Sequence, residues 1–98
     1  MKIGRRAVPE SPEEMHQIHL ALENPIRRKM LILIIGGCHS IGDMEKAVGP
    51  NMLAYQLHRL ELAGLIDVED GAITPTESGK AYGDLVKSQA EKGGAGKA

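Results

Sequence analysis

The chain has no tryptophan and no phenylalanine, and its only aromatic residues are Tyr55 and Tyr82. Its core must therefore be aliphatic, built from Leu, Ile, Val, Met and Ala. Hydrophobic residues make up 42% of the 98, enough for one core and one small domain. Such a core is modest at this size, and a partner subunit would help to bury apolar surface. Cys38 is the sole cysteine, which excludes an intrachain disulfide framework. No apolar run approaches the roughly 20 residues of a membrane span. No signal-peptide pattern opens the chain, so a cytoplasmic protein is expected. There is no Gly-rich phosphate loop, no nucleophile elbow and no pair of carboxylates with a plausible pocket, so neither an enzyme nor a cofactor is expected. An excess of basic charge is missing as well. The formal net charge is -1 and the pI about 6.4, which does not favour nucleic-acid binding but does not forbid it, because local clusters matter more than the sum.

Two such clusters are present. Lys2, Arg5 and Arg6 form one, and Arg27, Arg28 and Lys29 the other. Residues 1–9 read as a flexible basic arm, 10–90 as the folded domain and 91–98 as a flexible tail. Ser11-Pro12-Glu13-Glu14 is a complete helix start: Ser11 can cap, Pro12 suits the first turn and Glu14 closes a capping box. The first helix then carries Met15, Ile18, Leu20 and Leu22. Asn24-Pro25 ends it and begins a second, apolar on most sides, which Gly36-Gly37 stops. Ser40 and Asp43 start a third helix, with Ile41, Met44 and Ala47 facing inward.

The stretch from Asn51 to Gly79 is the most structured in its signals. Leu53, Leu57, Leu60 and Leu62 recur at helical spacing and predict a helix over 51–63 with one apolar face. Gly64 follows, where a helix end favours left-handed dihedrals. Leu65, Ile66 and Val68 favour extended structure, Asp70-Gly71 is a hairpin signal, and Ala72-Ile73 return as the second strand. Thr76-Glu77-Ser78-Gly79 begins a last helix with Ala81, Leu85 and Val86 on its apolar stripe. Helices, then a tight hairpin, then a helix make a mainly α fold with a small β-hairpin wing, a winged helix-turn-helix.

Three segments resemble small winged-helix regulators of the arsenic-repressor (ArsR-like) superfamily, particularly its compact archaeal type. ALENPIRRKMLILI (21–34) looks like the family's opening helix. LAYQLHRLELAGLI (53–66) looks like its recognition helix and following strand, and ITPTESGKAY (73–82) like the end of its wing. The resemblance implies a transcription regulator that binds double-stranded DNA as a symmetric dimer, with a repressor occupying its operator as the expected mode. It implies that the first and last helices form the dimer interface, where Ile18, Leu22, Leu85 and Val86 supply the apolar stripes. It also implies that the helix after Gly49-Pro50 meets DNA. Three departures stand out: a short turn before that helix, few charges on it, and a short acidic wing of Asp67, Glu69 and Asp70.

The candidate DNA-binding residues are Ser40, Asn51, Met52, Tyr55, Gln56 and Arg59. Asn and Gln can pair with adenine edges in the major groove, Arg59 can hold guanine or phosphate, and Tyr55 can reach phosphate or sugar. Ser40 can meet a phosphate at a helix start, or simply cap that helix. Arg27 and Arg28 can contact the DNA backbone or bridge to neighbouring acids. His16 and His19, with Cys38 and His39, are possible soft-metal ligands, but their spacing defines no set of four and no metal site is expected. The alternative reading is a winged helix that docks on protein, with a neutral helix surface and acidic wing facing a partner instead of DNA.

Overall fold

The computed structural model describes residues 11–97; the basic arm lies outside them. The elements in order are α1 (Pro12–Leu22), α2 (Pro25–Ile35), α3 (Ile41–Val48), α4 (Leu53–Leu62), β1 (Ile66–Glu69), β2 (Ala72–Pro75) and α5 (Glu77–Lys97). Four helices, an antiparallel hairpin and a closing helix are the winged helix-turn-helix arrangement. Among the described residues, no helix is long and apolar enough to cross a membrane.

The helix starts follow from local chemistry. The Ser11 hydroxyl accepts from the Glu14 N–H and the Glu14 carboxylate accepts from the Ser11 N–H, each at 3.2 Å, completing the capping box. Asn24 Oδ1 accepts from the N–H groups of Ile26 at 2.8 Å and Arg27 at 3.1 Å, and Ser40 Oγ accepts from Asp43 at 3.1 Å. In each case a side-chain oxygen satisfies N–H groups that the first helical turn leaves without partners.

α4 departs from expectation at its start. Met52 has φ 58, in the left-handed region, and no side chain caps the helix. A right-handed helix cannot continue back through that residue, so Asn51 and Met52 belong to the preceding turn and the helix begins at Leu53. Leu53, Leu57 and Leu60 are buried, but Leu62 is 57% exposed. Nine residues separate Leu53 from Leu62, which is about two and a half helical turns and sets Leu62 on the opposite side. Two similar corrections apply elsewhere. Met15 is exposed on α1, where Ala21 takes the buried place beside Ile18. Ala47 is exposed on α3, where Met44 faces in and Ile41 and Val48 are half-buried.

The core is aliphatic, as the composition requires. Met30, Leu31 and Ile34 of α2 are fully enclosed, with Met44, Leu60, Leu65, Ile66 and Ile73 around them. Tyr82 is half-buried against this cluster.

Asp70 (φ 51) and Gly71 (φ 80) make the two-residue turn between β1 and β2, both left-handed as the twist-matched hairpin turn demands. Val68 pairs with Ile73 and Glu69 with Ala72. A further pairing has no strand signal in the chain. The segment between α2 and α3 lies along β2, with Ser40 bridged to Ala72. The Ile73 N–H donates to the His39 carbonyl at 2.8 Å, and the Ile41 N–H to the Gly71 carbonyl at 3.0 Å.

α5 packs mainly on α2 and starts under the hairpin. Thr76 caps it: its Oγ1 accepts from the Gly79 N–H at 3.0 Å. The helical backbone then continues to Lys97, beyond the point where a flexible tail is expected to begin. Gly93 and Gly94 weaken a helix by about 1 kcal/mol each, but they do not block its dihedrals.

Candidate nucleic-acid interface

The three buried leucines orient α4, and the residues opposite them point to solvent. Tyr55 is 50% exposed and Leu62 lies beyond it, with His58 exposed between them and Ala54 exposed just before. His58 was not among the expected contacts, yet it sits three positions past Tyr55 and so shares its face. Met52 (56% exposed) and Asn51 extend this face from the preceding turn. Gln56 and Arg59, also three apart, form one flank and are half-buried.

Gln56 is held from behind. Its Oε1 accepts from Nη1 of Arg27 at 2.8 Å. Arg27 is buried, and its remaining donors reach back to α1: Nε to the Ala21 carbonyl at 2.7 Å and Nη2 to the Leu20 carbonyl at 3.1 Å. Arg28 completes the pattern, with Nη1 donating to the carbonyls of Leu22 at 2.8 Å and Glu23 at 3.0 Å. The last carbonyls of a helix have no intrahelical partners and form the negative end of its dipole, so guanidinium groups stabilise them. The two arginines close the corner between α1 and α2 through carbonyl acceptors, and these bonds run to carbonyls and Gln56, not to acids.

Arg59 is different. Its Nε is enclosed and has no hydrogen-bond partner among the described residues. An unpaired buried N–H costs about 1–3 kcal/mol, so this side chain gains by turning toward an acceptor. Ser40, by contrast, is occupied as the cap of α3 and half-buried beside Ala72.

The surrounding field is mixed. Between residues 11 and 90 the basic side chains are Arg27, Arg28, Lys29, Lys46, Arg59, Lys80 and Lys87, outnumbered by acids. At the hairpin tip Glu69 and Asp70 are exposed. Arg27 and Arg28 are engaged by carbonyls and by Gln56 within the chain.

The expected dimer residues divide. Ile18 (2% exposed) belongs to the chain's own core. Val86 is buried (6% exposed), yet with Leu22 and Leu85 it lines an open groove of about 460 Å³ between α1 and α5, together with His19, Glu23, Arg28, Tyr82 and Gln89. Leu85 is 51% exposed.

Of the possible metal ligands, His16 and His19 are exposed on α1 and Cys38 packs against the core. The His39 ring lies 3.1 Å from the Ile34 carbonyl through Nε2. Among the described residues no three His, Cys, Asp or Glu side chains are grouped to hold an ion.

Compared with protein-family models, with curated proteins and with solved structures, the chain gives no match.

Proposed function

We propose that this chain is a homodimeric, cytoplasmic transcription regulator of the ArsR-like type, which presents α4 to the major groove of double-stranded DNA and represses by occupying its operator. The observation that carries this reading is the outward face of α4. Three leucines lock one side of the helix into the core, and the other side offers Tyr55, His58 and Arg59 with Asn51 and Met52 at its leading end. A two-fold pair meeting at Leu22 and Leu85 would cover the groove between α1 and α5.

A second reading, docking on protein, draws on one observation: Met52, Tyr55 and Leu62 are all at least half-exposed on one face, and the nearby hairpin tip is acidic. The two readings separate in one titration. A labelled random-sequence duplex is mixed with the full chain at increasing salt. DNA binding gives an affinity that falls linearly on a log–log plot, with a slope of about -0.9 for each phosphate neutralised. No binding at low salt leaves the protein-docking reading.

A further inference from the structure

We infer that Arg27 is a positioning residue that fixes which end of the Gln56 carboxamide faces the ligand of α4, so that this position offers a hydrogen-bond donor and discriminates against cytosine. The inference rests on the DNA-binding reading above and deepens it. A guanidinium carries only donors. The group at 2.8 Å from Nη1 must therefore be the carboxamide oxygen, and the opposite assignment would set two donors against each other. Arg27 cannot swing away to release it. The guanidinium is buried, and its Nε and Nη2 are anchored on the Ala21 and Leu20 carbonyls. Oε1 is thus directed into the α1–α2 corner. The outer end of the half-buried Gln56 is its amide nitrogen, on the flank that α4 shares with Arg59.

A free glutamine pairs with adenine by giving one hydrogen bond and accepting another. With its oxygen turned inward, Gln56 does not offer that pair and acts as a donor. Guanine, adenine and thymine all show an acceptor on their major-groove edge, at N7, O6 or O4. Cytosine shows only the N4 amino donor. A donor-only side chain accepts any of the first three bases and rejects the fourth.

The test is a selection from a random duplex library with the full chain, run in parallel for the wild type, Gln56→Glu and Gln56→Met. Glutamate keeps an acceptor for Arg27 and gains a charge-assisted bond, so its melting temperature should not fall. The wild type should show one position depleted in cytosine by about tenfold. Gln56→Glu should enrich cytosine at that same position, because a carboxylate accepts from N4. Gln56→Met, which carries no N–H donor, should lose the donor-based depletion of cytosine there and keep at most an apolar contact with the thymine methyl group. Unchanged base preferences in both folded variants would overturn the inference while leaving DNA binding in place. Failure of the wild type to retain any duplex would remove the DNA reading, and this inference with it.

Discussion

The Thr76 hydroxyl donates to the Gly64 carbonyl at 2.6 Å while accepting from the Gly79 N–H at 3.0 Å. One side chain thereby joins the end of α4 to the start of α5, across the base of the hairpin. Thr76 and Gly79 are both buried, so the Gly79 N–H cannot turn to water if the hydroxyl is lost. Thr76→Val keeps the shape and removes both bonds. Loss of a cap and of the half-buried Gly64 carbonyl's donor should together lower stability by about 1–3 kcal/mol. Denaturant unfolding followed by circular dichroism measures it, and a loss below 0.5 kcal/mol, on the order of one weak surface contact, would show that the junction is held otherwise.

Gly79 should resist the substitution that helix propensity recommends. Alanine stabilises a helix by about 1 kcal/mol relative to glycine. At this position a methyl group would run into the Leu65 carbonyl oxygen, which belongs to the backbone and cannot step aside. Gly79→Ala should therefore destabilise by several kcal/mol, on the order of an overpacked core. At Gly83 the obstruction is the Ile35 side chain, with Cγ2 at 2.8 Å. That side chain can shift, so Gly83→Ala should be milder. Equal melting temperatures for the two variants would contradict this ranking.

Leu85 and Ile18 should behave oppositely. Leu85 is half-exposed in the α1–α5 groove, while Ile18 is enclosed. Leu85→Glu should leave the melting curve of the isolated chain nearly unchanged and abolish self-association. Ile18→Ala should cost about 2–5 kcal/mol of stability. Light scattering at tens of micromolar reads the first outcome. A Leu85→Glu variant with the mass of a dimer would move the interface elsewhere.

The hairpin tip should contribute little to DNA affinity. Glu69 and Asp70 are exposed acids that phosphate would repel. Asp70 sits at φ 51, so its replacement must tolerate that conformation, and asparagine does. Glu69→Lys combined with Asp70→Asn reverses the local charge without straining the turn. The salt slope for duplex binding should stay where the wild type has it. An increase of about 0.9 would place the tip against a phosphate.

Most of the architecture is legible in the chain because it rests on short-range chemistry. Ser11 with Glu14, Asn24 with Pro25, and Asp70 with Gly71 act on neighbours a few residues away, and the structure holds each as expected. Leu62 lies on the other face from Leu60 for a reason that counting gives, since nine positions past Leu53 is about two and a half turns. The other departures have no such local signal. Met52 would suit a helix, yet it adopts the left-handed turn that ends Gly49-Pro50-Asn51. Arg27 and Arg28 looked like a surface cluster, because nothing local reveals that the carbonyls of Leu20 to Glu23 lie within their reach. The same blindness affects the site. Gln56 is visible as off the leucine face, but its tether to a residue twenty-nine positions earlier is not. His58, in contrast, could have been found by counting three from Tyr55.

The bridge from residues 39–41 to β2 has a consequence for timing. The Ile41 amide opens α3, yet it is bonded to Gly71 in the hairpin turn, and the Ile73 amide is bonded back to His39. The two bonds fasten the same pair of segments to one another. In hydrogen–deuterium exchange the two amides should be released with one shared protection factor, as a single cooperative unit. Any event that loosens the hairpin tip should then be recorded at the beginning of α3 at the same moment, although the two are thirty residues apart in the chain.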